Sequence, residues 1–188
     1  MNMKKIEDYF VFEFENLSST MDVAKEFLKK YEKVIILAKK QSEGRGRYGR
    51  KWFSPEGGLY FSFTLKKNET TNFLSEITSL SLIETFKYYG IKNCKIKFPN
   101  DIIINDKKIC GILIEKSGDF YIVGVGVNVK KNENLKINNY IAMEDILNID
   151  LKTEDILINF IYNFKKITEL FRKNKEIGLK EWSENLIK

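Results

Sequence analysis

The 188-residue chain contains no histidine, and it has only two cysteines, Cys94 and Cys110. Without histidine there is no base for a Ser/His or Cys/His hydrolase, so both mechanisms are excluded. Two cysteines and no histidine predict neither a zinc site nor a disulfide framework. Any chemistry must therefore depend on lysine, arginine, aspartate, glutamate or a metal ion.

The sequence also lacks an apolar run long enough to cross a bilayer, and its first residues have no apolar segment of the signal-peptide type. We therefore expect a cytoplasmic protein with no membrane partner. No repeat and no linker rich in Pro, Gly or Ser divides the chain. A hydrophobic content of 43% over 188 residues suits one core, so one domain over residues 1–188 is predicted, with a loose connection over 132–139.

Positive charge is concentrated in one part of the chain. Of the formal net charge of +6, residues 39–51 contribute six cations and one anion, or +5. A duplex-binding protein more often spreads its lysines and arginines over a face or along a helix. The pattern therefore lowers the expectation of a nucleic-acid partner and indicates a local anion site.

Within that part, residues 44–52 read Gly-Arg-Gly-Arg-Tyr-Gly-Arg-Lys-Trp. Glycine brings backbone N–H groups close to a ligand, and arginine offers a planar fork of donors to phosphate or carboxylate. The spacing also satisfies the dinucleotide fingerprint Gly-x-Gly-x-x-Gly, but that motif must open a helix. Here Trp-Phe-Ser-Pro and a predicted strand follow, so a flexible anion-binding loop is predicted instead.

Apolar periodicity alternates between helix and strand along the chain. Helices are predicted after Ser19, with Asp22 at capping-box spacing, over 73–88, and from a capping Thr153 onward. Strands are predicted over 34–38, 59–65, 95–98, 102–104, 109–114 and 120–129, and strict alternation makes 59–65 half-buried. The expected fold class is α+β, a mixed or antiparallel β-sheet backed by helices.

Three further motifs follow the loop: Lys97-Phe98-Pro99-Asn100-Asp101, Lys108-x-x-Gly111-Ile-Leu-x-Glu115, and Gly124-x-Gly126-x-Asn128. Singly, they have ordinary interpretations as a turn, a solvated charge, and glycines where another backbone approaches a strand. Together with Ser19-Thr20, Gln41 and the loop, in this order, they resemble the catalytic domain of a biotin protein ligase. The resemblance covers about residues 17–129 and implies the class II synthetase-like fold of biotin and lipoate ligases.

This resemblance implies ATP-dependent biotinylation of a carrier-protein lysine through biotinyl-5′-AMP. The carrier would be the biotin carboxyl carrier domain of acetyl-CoA carboxylase or a similar protein. ATP and Mg²⁺ are the implied cofactors, and biotin is the substrate. The reaction suits a chain without histidine, because biotin and the acceptor lysine supply the nucleophiles while Arg, Lys and Mg²⁺ stabilise phosphate charge.

The resemblance also implies roles for individual residues. Those expected to bind biotin are Ser19, Thr20, Gln41, Gly44, Arg45, Lys97 and Gly111. Those expected to bind ATP or the adenylate are Arg45, Arg47, Arg50, Trp52, Lys108 and Asn128. Those expected to be catalytic are Lys97, Lys108, Asp101 and Arg47. Asp101 would be the partner of the incoming carrier lysine. No metal ligand is assigned within the chain, although Asn128 is a candidate contact to ATP or its metal.

Three positions depart from the family pattern: Met21 replaces a frequent asparagine, Phe98 a usual tryptophan, and Cys110 a usual alanine. The first two replacements remove a polar group. We expect the non-regulatory type, with neither the N-terminal helix-turn-helix domain of repressor members nor the C-terminal SH3-like domain. No DNA partner is expected, and a homodimer is the assembly to test.

Two alternatives stay open. A lipoate protein ligase shares the fold and the acyl-adenylate logic, although the arginine-rich loop favours biotin. A non-catalytic module could instead hold biotin, or bind single-stranded nucleic acid through the arginines, Tyr48 and Trp52 of the loop. That module would leave Lys97, Asp101 and Lys108 without a shared purpose.

Overall fold

A computed structural model describes residues 2–132 and 139–187 of the chain, so most of the predicted connection over 132–139 lies outside the described residues. The strands of the described part are β1 (Asn2–Ile6), β2 (Tyr9–Leu17), β3 (Val34–Gln41), β4 (Leu59–Lys66), β5 (Lys95–Lys97), β6 (Asp101–Ile104), β7 (Lys107–Ser117) and β8 (Phe120–Val127). Its helices are α1 (Thr20–Phe27), α2 (Leu74–Tyr88), α3 (Glu144–Leu147), α4 (Thr153–Lys173) and α5 (Lys175–Glu184). None of these helices is long and apolar enough to cross a membrane.

The strands form one mixed sheet in the order β1-β2-β3-β4-β8-β7-β6-β5. Strands β2 and β3 are parallel, and α1 is the crossover that a parallel pair requires. The pairs β1–β2, β3–β4, β4–β8, β5–β6 and β6–β7 are antiparallel. The predicted class, a mixed sheet backed by helices, is confirmed.

The chain divides into two compact units, each built from two segments. The first unit comprises Met1–Lys67 and Ile112–Val127, and the second comprises Asn68–Gly111 and Asn128–Lys188. The chain therefore passes from one unit to the other at three points, and one of them, Gly111/Ile112, lies within strand β7. The sequence predicts one catalytic domain over residues 1–188. This stays a prediction, and the division into two compact units does not test it.

Helix α1 packs its apolar residues onto the sheet of the first unit. Met21 and Ala24, three positions apart on one helix face, are buried with Phe12, Val34 and Ile36. The helix begins directly after Ser19, as predicted. The predicted capping interaction is wrong, however, because the Ser19 side chain makes no hydrogen bond to the helix N-terminus.

Strand β4 is buried on both faces, although its alternating sequence predicts a half-buried strand. Its polar side chains are satisfied inside the first unit. Thr64 Oγ1 accepts a hydrogen bond from the Val34 N–H (3.0 Å) and donates to the Glu32 carbonyl (2.7 Å). Ser62 Oγ lies 2.8 Å from Thr20 Oγ1. Burial of these hydroxyl groups is tolerated because each has a hydrogen-bond partner.

The second unit contains helices α2 and α4, whose apolar residues were predicted from helical spacing. The buried side chains of α4 are Ile156, Leu157, Phe160, Ile161, Asn163, Phe164, Ile167 and Phe171. Asn163 Nδ2 donates to Thr85 Oγ1 of α2 at 3.2 Å. Helix α4 starts at Thr153 itself, and its N-cap residue is Lys152 rather than the predicted threonine.

Both cysteine thiols are buried in the second unit. Burial raises the pKa of Cys94 to about 12, and it raises the pKa of Cys110 as well. Because the thiolate is the reactive species, a thiol-specific reagent at about pH 8 should modify neither cysteine in the folded protein and both after denaturation. Fast stoichiometric labelling of a native thiol would contradict this burial.

Candidate active site

Residues 44–52 form a hydrogen-bonded hairpin where the sequence predicts a flexible loop. At its base the Trp52 N–H donates to the Gly44 carbonyl at 2.8 Å, and further along the Gly46 N–H donates to the Arg50 carbonyl at 2.7 Å. Hydrogen bonds across the two arms thus give this glycine-rich segment a defined backbone path.

The tip of the hairpin is the turn Arg47–Gly49. Tyr48 and Gly49 both have left-handed backbone conformations, with φ of 58° and 70°. The Tyr48 side chain is 85% exposed. The Arg47 guanidinium lies 5.0 Å from the centre of the Tyr48 ring and donates to its hydroxyl at 3.0 Å. Arg47 therefore lies against an aromatic side chain that the sequence reasoning had not linked to it, whereas the nearby Arg50 side chain is exposed.

Glycines of the first unit make room for neighbouring groups. A Cβ at Gly44 would lie 2.5 Å from the Trp52 carbonyl oxygen and 2.7 Å from Ser54 Oγ. At Gly126 a Cβ would overlap the Trp52 indole, and at Gly124 it would lie 2.6 Å from Met21 Sδ. The ordinary interpretation of the last two glycines, approach of another backbone, is therefore wrong, because side chains approach them.

Ser19, Thr20 and Gln41, all predicted to bind biotin, come together where α1 begins and β3 ends. Gln41 Oε1 accepts hydrogen bonds from the Thr20 N–H at 2.8 Å and from Thr20 Oγ1 at 3.0 Å. Gln41 Nε2 donates to Ser54 Oγ at 2.8 Å. Ser19 and Thr20 are 1% and 3% exposed. The bonds fix which atoms of Gln41 accept and which donate.

Arg45 lies beside this cluster and is paired with two carboxylates. Its Nε and Nη2 each donate to a different oxygen of Glu115 at 3.1 Å, and its Nη1 donates to Asp22 Oδ2 at 2.8 Å. The hydrogen bonds to Glu115 are the largest influence on the pKa of Arg45 and raise it; partial burial lowers it, and the hydrogen bond to Asp22 raises it further. The predicted role of Arg45 in binding biotin and the adenylate stays a prediction. In this structure its guanidinium is paired with two carboxylates.

Sequence reasoning gave no site role to Asp22 or Glu115. Asp22 was interpreted as part of a capping box, and Glu115 as the last residue of a motif. One signal was available in the sequence: three arginines within six residues repel one another and need acidic partners. The sequence alone could not say which of 26 acidic residues would supply them.

In the second unit, Lys97, Asp101 and Gly111 are cross-strand neighbours. Lys97 pairs with Asp101 between β5 and β6, and Asp101 pairs with Gly111 between β6 and β7. Lys108 Nζ lies 2.6 Å from Asp101 Oδ1, and these two side chains are only 31% and 24% exposed. The strands thus assemble two lysines and one carboxylate that the sequence predicts to be catalytic.

Asn128 follows strand β8 and holds the backbone of the same unit. Its Nδ2 donates to the Lys108 carbonyl at 2.9 Å and to the Ile141 carbonyl at 3.2 Å, and its N–H donates to the Ile109 carbonyl. These bonds fix the backbone of Lys108, whose side chain pairs with Asp101. The predicted contact between Asn128 and ATP or its metal stays a prediction.

Comparison with known proteins defines the class of this chain. A model described as the Biotin/lipoate A/B protein ligase family matches residues 13–132, which is more than half of the chain. The chain therefore belongs to the biotin/lipoate A/B protein ligase family.

Among curated proteins, the chain is similar to the bifunctional ligase/repressor BirA of Salmonella typhimurium. The two are 32% identical over 149 residues, which cover 73% of this chain and 46% of that protein. The chain thus spans about half the length of the curated relatives it matches.

Two solved structures extend the similarity. Biotin protein ligase from Aquifex aeolicus in complex with biotin and ATP is 32% identical, with a TM-score of 0.79 over 87% of this chain and 72% of that chain. Biotin protein ligase from Leishmania major in complex with biotinyl-5-AMP is 25% identical, with a TM-score of 0.84 over 94% and 81%.

Proposed function

We propose that this chain is a biotin protein ligase that joins biotin to a lysine of a carrier protein at the expense of ATP. The observation that carries the proposal is the cluster of Lys97, Asp101 and Lys108 on adjacent strands of the second unit. The family, with relatives solved with biotin, ATP and biotinyl-AMP, identifies the reaction that such a cluster would serve.

In the first step, a carboxylate oxygen of biotin attacks the α-phosphorus of ATP. A new P–O bond forms, the bond from the α-phosphorus to the bridging oxygen breaks, and pyrophosphate leaves. Because two anions must meet and charge grows on the leaving group, the reaction depends on aimed cations. Lys97, Lys108, Arg47 and Arg50 supply these charges in the proposal.

In the second step, the amine of the carrier lysine attacks the biotinyl carbonyl carbon. An amide bond forms, the bond between that carbon and the phosphate oxygen breaks, and AMP leaves. The amine must lose a proton to attack. Asp101 is the proposed partner of that amine, and its ion pair with Lys108 keeps its carboxylate in place before the carrier arrives.

Magnesium would reach the protein on the phosphates of ATP. Among the described residues, no group of three or more His, Cys, Asp or Glu is placed to hold a metal ion. In the proposal, Mg²⁺ is bound mainly by the phosphates of ATP, which agrees with its usual use of only one or two protein carboxylates. Asn128 is the residue proposed to contact ATP or the ion, which when bound neutralises phosphate charge.

The proposal is tested by biotin-dependent exchange of labelled pyrophosphate into ATP with Mg²⁺ present. We expect exchange with biotin and at most weak exchange with lipoate, because the arginine-rich loop favours biotin. Faster exchange with lipoate would assign the chain to the lipoate ligases. No exchange with either acid from folded protein would remove the enzyme proposal, and tight, steeply salt-dependent binding of an oligonucleotide would then favour the nucleic-acid module.

Several features remain predictions from the sequence. They are a single catalytic domain over residues 1–188, a cytoplasmic location, a homodimeric assembly and the absence of DNA binding. The carrier protein is defined only by its chemistry, as a domain that presents one reactive lysine.

A further inference from the structure

The ion network around Arg45 is not used in either of the two chemical steps described above. One guanidinium makes four hydrogen bonds: two to the carboxylate of Glu115, one to Asp22 and one, at 3.1 Å, to Ser19 Oγ. The side chain of Arg45 is only 29% exposed. All four residues belong to the first unit, where Glu115 lies on β7, Asp22 lies in the first turn of α1, and Ser19 precedes that helix.

The local charge around Arg45 argues against direct binding of a ligand anion. One positive guanidinium faces two negative carboxylates, so the group carries a net charge of −1 when all three are ionised. A ligand carboxylate or phosphate that approached Arg45 would meet this excess of negative charge and would have to displace a bidentate pair. Arg47 and Arg50 lie near the tip of the same hairpin, where Arg47 contacts Tyr48 and the Arg50 side chain is exposed.

The hydrogen bond to Ser19 shows what Arg45 can do instead. An arginine N–H can only donate, so Ser19 Oγ is the acceptor in this bond. The hydroxyl proton of Ser19 must therefore point elsewhere, where it is available to an acceptor atom of a ligand. Because Ser19 is almost fully buried, this orientation matters for any ligand that it contacts.

We propose that Glu115 is a positioning residue that acts through Arg45. Glu115 holds the Arg45 guanidinium in place. Arg45 then orients the Ser19 hydroxyl and anchors the base of the hairpin at residues 44–52. Asp22 is the second anchor, and the ligand's anionic groups are bound by Arg47 and Arg50. The inference rests on the proposed function, since biotin is the ligand whose acceptor atom Ser19 would contact.

The substitution Glu115→Gln removes the charge and one of the two acceptor oxygens while keeping the side-chain size. We expect the KM for biotin in pyrophosphate exchange to rise about tenfold, equivalent to one lost hydrogen bond, with kcat changed less than about twofold. Glu15→Gln is the matched control, because Glu15 is a 74% exposed carboxylate paired with Lys39 in the same unit. A KM for biotin unchanged from that of the control would overturn the proposal.

A double-mutant cycle tests whether the effect passes through Ser19. In a Ser19→Ala background there is no hydroxyl to orient, so Glu115→Gln should raise the KM for biotin less than about twofold further. A second full tenfold rise would mean that Glu115 acts by another route. If Glu115→Gln folds poorly, Asp22→Asn replaces it in the same cycle, with an expected rise of about threefold because the Glu115 pair remains.

A measurement without ligand separates this inference from the proposed function. Trypsin can cleave after Arg47 or Arg50, and the rate reports how often the hairpin opens. Without Glu115 as anchor, cleavage in the hairpin should be about tenfold faster than in the wild type and in Glu15→Gln. An unchanged cleavage rate would contradict the proposal that Glu115 anchors the hairpin. If wild-type protein shows no biotin-dependent exchange, the proposed function fails while the trypsin result still decides the role of Glu115.

Discussion

Replacing Lys108 with alanine is expected to lower the rate of biotin-dependent pyrophosphate exchange by about 10²–10³-fold. The proposed role of Lys108 is to stabilise negative charge that develops near the α-phosphate, and an aimed cation contributes most where it is held in place. The structure holds it by the ion pair with Asp101 and by the bonds of Asn128 to the backbone of its strand. The loss should appear in kcat and kcat/KM together.

Lys107→Ala is the matched control for this experiment. Lys107 is the preceding residue on the same strand and has an exposed side chain. Lys107→Ala lowers the net charge by the same one unit as Lys108→Ala. Because Lys107 has no proposed role in the reaction, exchange should stay within about twofold of the wild type at moderate ionic strength. Equal losses in the two variants would mean that general electrostatics, and not an aimed ammonium group, is responsible. A fully active Lys108→Ala protein would remove Lys108 from the reaction.

Gly44→Ala is expected to destabilise the protein by about 1–3 kcal/mol. The added methyl would lie 2.5 Å from a backbone oxygen, that of Trp52, which cannot rotate away as a side chain can. It would also press on Ser54, the hydrogen-bond partner of Gln41. For a chain of this size we expect the thermal midpoint to fall by roughly 3–10 °C, measured by circular dichroism.

Gly46→Ala provides the comparison, two residues along the same hairpin. Its added methyl would meet only the Arg50 carbonyl oxygen at 3.6 Å, an ordinary contact, and its φ of −108° suits alanine. The midpoint of this variant should match the wild type within about 2 °C, since no group must move. Equal destabilisation by the two substitutions would contradict the close packing at Gly44.

Most of the elements with clear apolar periodicity could be predicted from sequence, and several other elements could not. Helices α2 and α4 and strands β3 to β8 follow from apolar spacing. Strands β1 and β2 and the four-residue helix α3 were not predicted. Strand β1 has five mostly exposed residues that form a strand only by pairing with β2, and β2 in turn pairs with both β1 and β3. Helix α5 was also missed. It buries only Gly178, begins at an Asn174 cap, and is tied to α2 by a hydrogen bond from Trp182 Nε1 to Ser79 Oγ. These elements depend on partners that local sequence does not reveal.

The prediction that β4 is half-buried, which was based on alternating apolar and polar residues, is wrong. The pattern is typical of a strand with one face in water, yet the hydroxyl groups of Ser62 and Thr64 are fully buried. Their partners are Thr20, Glu32 and Val34, which lie at least thirty positions away in sequence. Local periodicity reports polarity and cannot report whether a distant backbone group will satisfy a hydroxyl.

By itself, the sequence determined the α+β class, the order of the motifs and the resemblance to biotin protein ligases, because residue types and their spacing carry these properties. Only the tertiary structure decided how the charged residues are paired. It placed Arg45 on Glu115, seventy positions away, and Lys108 on Asp101 across a hairpin. Charge pairing depends on distances of a few ångströms between side chains, and the sheet, not the local sequence, sets those distances.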